Sequence, residues 1–164
     1  MKIKLLVILL FITQTAFAFM SGIDDRRDTH GELEIIGAHI PLAPSGMMNA
    51  GYLKLKNLSN KKIIFHHFSS PVYDSVQIHN IEYDNGVVKM KHTDTLVVPA
   101  KSTIELKPGN MHLMLQGPRR DIKEGEEILM IGQDDDERRY MLKFIVVDPR
   151  NNNENMKVDH HHNH

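Results

Sequence analysis

The feature that most constrains this chain is a turn signal, Asp84-Asn85-Gly86, between two runs of β-forming residues. Asn-Gly is among the strongest hairpin signals, because both residues tolerate the positive φ angles of a type I′ turn. The flanking runs, 72–83 and 87–92, are therefore expected to pair in antiparallel fashion. If Asn85 and Gly86 form the loop, Asp84 pairs with Val87 and the register of the whole hairpin follows.

Short β-like runs recur between turn signals along the rest of the chain, and none shows a 3.6-residue repeat over the length of a helix. The other runs are 33–40, 50–56, 62–68, 95–99, 102–106, 111–116, 126–132 and 140–147. The sequence therefore predicts an all-β, mainly antiparallel Greek-key sandwich of about eight or nine strands.

The start of the chain predicts export. Lys2 and Lys4 precede an apolar run, 5–12, which leads to Ala16-Phe17-Ala18. These are the three parts of a secretory signal peptide, assigned here to residues 1–18, and the run is too short for a comfortable membrane span. Without any Cys, a lipid anchor through an N-terminal Cys is excluded. We expect a periplasmic protein that does not insert in the membrane once the signal is removed.

Composition divides the remainder into a flexible leader at 19–31, one domain at 32–148 and a disordered tail at 149–164. The tail is rich in Asn and is predicted to bind metal as a secondary site. Its candidate ligands are Met156, His160, His161, His162 and His164.

Residue counts exclude several functions. The absence of Cys rules out thiol catalysis and a blue-copper centre, whose strong bond is to a thiolate. Without Lys2 and Lys4, 18 basic residues face 21 acidic ones (20 − 2 against 21), so nucleic acid is not an expected partner. Neither the His-Glu-x-x-His nor the Gly-x-Ser-x-Gly motif occurs, so an enzyme is not expected.

Four candidate metal ligands stand out in a chain that has 11 His and 10 Met: His79, Met90, His112 and Met114. Neutral imidazole with thioether sulfur suits Cu(I). In the predicted register Met90 lies diagonally across from His79 on the same face, while His92 lies directly opposite His79. His112 and Met114, two residues apart, also share a face. Two strand pairs facing each other across a sandwich end would bring the four together.

Local geometry alone leaves alternatives open. His92 could replace or supplement Met90, and the methionines could be core filler beside ordinary strand histidines. A general zinc or divalent-metal binder could use His79, His92, His112 and the tail. A metal-independent adhesion or scaffold domain is a further alternative.

The spacing of the four residues resembles the motif of the periplasmic PCuAC-type copper chaperones. Ten residues separate His79 from Met90, twenty-one separate Met90 from His112, and Met114 completes His-x-Met. Composition alone predicts about 0.003 chance matches to this pattern. The surrounding segments 74–79, 86–90, 106–109 and 122–126 are also similar to the family.

The resemblance implies a cupredoxin-like β-sandwich that binds Cu(I) through His79, Met90, His112 and Met114. It implies a carrier that exchanges copper with a periplasmic donor or acceptor, commonly for assembly of the copper site of cytochrome c oxidase. We expect the protein to be a monomer. Some family members carry a C-terminal His/Met-rich extension that binds Cu(II), a part that the tail of this chain could play.

Overall fold

The computed structural model describes residues 27–84 and 87–150, and within these ranges it contains eleven strands and no helix. The strands are β1 Arg27–His30, β2 Leu33–Pro41, β3 Asn49–Asn57, β4 Ile63–Ser69, β5 Tyr73–Asp84, β6 Val87–Thr93, β7 Leu96–Val98, β8 Thr103–Leu106, β9 His112–Pro118, β10 Glu127–Asp134 and β11 Arg139–Val147. β2 and β11 pair in parallel, and the other pairs are antiparallel. The all-β, mainly antiparallel prediction is confirmed.

The strand count is higher than the eight or nine expected. Each run identified in the sequence is a strand, including the short β7 and β8, and β1 is added to them. β1, residues 27–30, lies in the segment 19–31 that the sequence predicts as a flexible leader. These residues pair with β2 over four positions, a hairpin that their polar composition does not reveal. Residues 19–26 lie outside the described part of the chain.

Seven of the strands close into a barrel in the order β2-β11-β10-β4-β5-β9-β3, with β3 returning to β2. The contact between β4 and β5 is a single residue pair, Phe68 with Val76, so the barrel is barely closed on that side. β4 lies between β5 and β10, and β9 lies between β5 and β3, which requires the long crossovers typical of Greek-key folds. β6 pairs with β5 outside this ring.

The barrel interior holds the hydrophobic core, in which Phe65 stacks near Phe68 and Tyr140. Alternation along the strands sends every second side chain inward. On β5 and β9 the inward residues are Ile78, Leu113 and Leu115, all buried. Their neighbours in sequence therefore lie on the outer face, and the candidate ligands are among them.

Among the described residues, no helix is long and apolar enough to cross a membrane. The predicted signal peptide at 1–18 lies outside the described residues, as do all five candidate ligands of the tail.

Candidate metal centre

The register of the β5–β6 hairpin is the one predicted from Asn85-Gly86. Asp84 pairs with Val87, Ile81 with Met90 and His79 with His92. The two loop residues themselves lie outside the described residues, but the pairing on both sides of them leaves no room for a bulge. His79 and Met90 consequently belong to the same face of the hairpin, as the sequence indicated.

The arrangement of β9 differs from the expectation of strand pairs facing each other across a sandwich end. β9 is the direct neighbour of β5 in one sheet, with His79 opposite His112 and Gln77 opposite Met114. The candidate ligands therefore lie side by side on the outer face of one sheet. The sequence could not reveal this, because no local signal connects β9 to a strand that ends 28 residues earlier.

Five rings form a row across this outer face, one from each of the neighbouring strands β2, β3, β9, β5 and β6. Ring centroids are 5.6 Å apart for His39 and Tyr52, 6.4 Å for Tyr52 and His112, 5.8 Å for His112 and His79, and 6.0 Å for His79 and His92. His112 lies at the centre of the row and is only 6 % exposed. Its neighbours shield it even though it faces away from the core.

Backbone geometry orients the ring of His112. The Nδ1 atom lies 2.9 Å from the carbonyl oxygen of Asn110. A carbonyl can only accept, so Nδ1 carries the proton and donates it. Nε2 of the neutral ring is then left with a lone pair. This is the common arrangement of a metal-binding imidazole, in which a hydrogen bond to one nitrogen fixes the other as the ligand.

His79 shows the opposite arrangement. Its Nε2 lies 3.0 Å from Oε1 of Gln77, two residues earlier on the same face. Its Nδ1 is buried and makes no hydrogen bond, the one such side-chain atom among the described residues. Burial lowers the pKa of His79, and His112 and His92 lower it further. The ring is therefore neutral at physiological pH, with an unsatisfied polar atom next to a second imidazole.

Met114 completes a compact group with these two histidines. It lies two residues after His112 on the outer face of β9, between Ala50 of β3 and Gln77 of β5. It is half-buried. Its thioether thus lies in the next row of side chains on the same face, beside the two imidazoles and diagonal to His79. Met111 instead packs against the core, as filler.

Met90 is not brought to the same place. It is 63 % exposed. Met90 is opposite Ile81, two residues after His79, whereas Met114 is opposite Gln77, two residues before His79. Two strand spacings of ~4.8 Å and four residues of ~3.4 Å put the Cα atoms of Met90 and Met114 ~17 Å apart on a flat sheet. Beyond His79, β5 pairs with β6 alone. Met90 therefore sits on a two-stranded arm that projects past β9.

His79, His92 and His112 do not surround a common point. His92 and His112 flank His79 from opposite sides, two strand spacings or ~9.6 Å apart. His92 is exposed and its Nε2 lies 3.3 Å from Oδ1 of Asp94. In the part of the chain that the structure describes, no group of three or more His, Asp or Glu side chains is placed to hold a metal ion. Any further metal ligand from this part of the chain, beside His79 and His112, would therefore have to be a methionine.

Sequence reasoning assigned no role to Gln77, Asn110 or Tyr52, the three residues that hold the two imidazoles. For Gln77 a signal was available, since it lies two positions before a candidate histidine on the same strand. Side chains two apart on a strand share a face, so a Gln at that position can reach the ring. Tyr52 is brought to His112 by the pairing of β3 with β9, which no local pattern announces.

Together the fold and these side chains define a class: a small all-β domain with imidazoles and a thioether clustered on one outer sheet face. The chain belongs to the LpqE-like family, "Putative lipoprotein LpqE-like", whose model matches residues 33–131. That match covers more than half of the 164 residues.

Known proteins of similar sequence and of similar fold are found among bacterial proteins and PCuAC domains. Protein RP573 of Rickettsia prowazekii (strain Madrid E) is 30 % identical over 111 residues, which cover 67 % of this chain and 60 % of the relative. The copper-bound PCuAC domain from PmoF2 superposes with a TM-score of 0.64 at 17 % identity, covering 76 % of this chain and 99 % of that domain. Cu(I)-bound DR1885 from Deinococcus radiodurans has a TM-score of 0.57 at 26 % identity, over 68 % and 76 % of the two chains. The resemblance to PCuAC domains is thus confirmed for the fold.

Proposed function

We propose that this protein carries Cu(I) outside the cytoplasm, binding it through His79, His112, Met114 and Met90, and passes it to a partner protein. One observation carries the proposal: the buried Nδ1 of His79 has no hydrogen-bond partner and lies beside a second imidazole and a thioether. Copper supplies that partner. Two neutral imidazoles with soft sulfur and no carboxylate favour Cu(I) over harder ions. Copper-bound structural neighbours support the choice of metal.

The lowered pKa of His79 keeps this ligand available to a metal cation. Metal binding requires a neutral imidazole with a free lone pair, and a protonated histidine must first release its proton. The pKa of His79 is held below its usual value by burial and by two neighbouring histidines. The ligand is therefore ready at the pH of the periplasm, and no proton has to be displaced.

The position of Met90 supports a role as the exchangeable ligand. Two sulfurs bound to one ion lie within ~5 Å of each other, twice a metal–sulfur distance of ~2.3 Å. Met90 reaches the copper only when the β5–β6 arm bends over the outer face. A two-stranded arm without further support is marginally stable, so bending costs little. When the arm lifts, a partner's ligand can take the place of Met90, and copper can leave stepwise.

The chain has no thiolate of its own, so a thiolate-bearing recipient binds Cu(I) more strongly and draws it away. We place this exchange in the periplasm, supported by the signal peptide predicted at residues 1–18 and by the lipoprotein description of the family. The resemblance to PCuAC-type chaperones supports delivery toward the copper site of cytochrome c oxidase. In this proposal the protein acts as a monomer, and its tail binds Cu(II).

The test is X-ray absorption on the Cu(I)-loaded protein, with Met156 changed to Leu and the four tail histidines changed to Asn so that only the domain binds. We expect both sulfur and nitrogen neighbours in the first shell. A first shell without sulfur would falsify the proposal. Competition between Cu(I) and Zn(II) on the same variant distinguishes the alternative, because tight zinc binding without preference for Cu(I) would indicate a general divalent-metal binder.

A further inference from the structure

The two imidazoles of the candidate centre are held in opposite orientations by two different acceptors. At His112 the acceptor is the backbone carbonyl of Asn110, 2.9 Å from Nδ1. At His79 it is the side-chain oxygen of Gln77, 3.0 Å from Nε2. Both contacts span two residues, but one belongs to the backbone and the other depends on a side chain that substitution can remove.

The contact with Gln77 decides which nitrogen of His79 carries the proton. A neutral imidazole has one N–H and one lone pair. The buried Nδ1 has no partner in either tautomer, but if it carried the proton, the lone pair of Nε2 would also face the acceptor oxygen of Gln77. With the proton on Nε2 the bond to Gln77 forms, and the buried Nδ1 is left with its lone pair.

We propose that Gln77 is a positioning residue of the copper site: it holds His79 in the Nε2–H tautomer, so that Cu(I) binds Nδ1 of His79 and Nε2 of His112. This inference rests on the proposed function and deepens it by naming the ligand atoms. Nδ1 lies nearer to its own backbone than Nε2 does. An ion bound through Nδ1 therefore sits close to the sheet surface, next to the half-buried Met114 rather than out in solvent.

The pairing of the strands couples this choice to the thioether. Gln77 is opposite Met114 in the β5–β9 register, so the residue that fixes the tautomer also borders the sulfur ligand. An outer partner of a metal-binding histidine commonly contributes 10–100-fold to metal affinity. We expect a loss of about that size when the acceptor on Gln77 is removed.

The test begins on the copper-free full chain at pH 8, well above the ordinary histidine pKa of ~6.5. Long-range ¹H–¹⁵N correlation spectra report which ring nitrogen carries the proton, and His79→Asn and His112→Asn variants assign the two rings. We expect Nε2–H at His79 and Nδ1–H at His112. Adding Cu(I) should then shift the ¹⁵N resonance of Nδ1 in His79 and of Nε2 in His112.

Three variants separate positioning from packing. Gln77→Leu should produce a mixture of tautomers at His79 and lower Cu(I) affinity by about 10–100-fold. Gln77→Glu keeps an acceptor oxygen and should retain both the tautomer and the affinity. Gln116→Leu is the matched control. Gln116 is also half-buried on the outer face of the sheet, but it lies on β9 opposite Ser75 rather than beside a candidate histidine. It should change neither measurement.

A proton found on Nδ1 of His79 in the copper-free protein would overturn the inference, as would a Gln77→Leu variant with unchanged tautomer and affinity. The spectra are recorded without copper, so the two proposals fail separately. Correct tautomers in a protein that does not bind Cu(I) would refute the proposed function alone. Tight Cu(I) binding with the opposite tautomer at His79 would refute the role of Gln77 alone.

Discussion

Replacing Met114 with Leu removes one sulfur from the proposed centre and leaves the apolar volume almost unchanged. Met114 is half-buried between Ala50 and Gln77, and a swap of similar volume costs less than about 1.5 kcal/mol of folding stability. Copper affinity should fall much more clearly. Losing an outer partner already costs about 10–100-fold, so losing a direct ligand should cost at least tenfold, or ~1.4 kcal/mol of binding free energy.

Met111→Leu is the control for this change, because Met111 lies three positions earlier and packs against the core instead of facing the histidines. The assay is competition for Cu(I) with a chelator of known affinity, in protein whose tail ligands are substituted. Thermal unfolding is measured in parallel. Met114→Leu should lose affinity at nearly unchanged stability, while Met111→Leu keeps its affinity. Equal Cu(I) affinity in the two variants would remove Met114 from the site and refute the reasoning.

Three further predictions concern release, acid and alkali. Met90→Leu should speed Cu(I) transfer to a chelator in stopped-flow experiments, with little change in stability because Met90 is exposed. Because burial, then His112 and His92, lower the pKa of His79, protonation of His79 should weaken Cu(I) binding in a pH titration as the pH drops through that lowered pKa, below the ordinary histidine value of ~6.5. Burial raises the pKa of Tyr73 to about 12, so the wild type should lose up to about 3 kcal/mol of stability between pH 10 and 12 that Tyr73→Phe does not lose, as followed by denaturant unfolding. The same alkaline slope in both proteins would contradict that assignment.

Much of the fold was predictable because its signals are local. Turn residues separate each β-like run from the next, and the period of two along the runs indicates which side chains face inward. The hairpin register follows from Asn85-Gly86 alone, since a two-residue loop leaves one pairing for the flanking strands. The short β1 escaped prediction, because Arg27–His30 is polar and forms a strand only by pairing with β2.

By itself, then, the sequence determined the ten strands β2 to β11, the β5–β6 register, the common face of His79 and Met90, and the common face of His112 and Met114. Each of these depends on residues within a few positions of one another. Only the tertiary structure decided that β9 lies directly beside β5, which puts His112 and Met114 next to His79 and leaves Met90 on a projecting arm. It also decided that Nδ1 of His79 is buried without a partner. Strand order and burial arise from contacts between distant parts of the chain, and no local pattern encodes them.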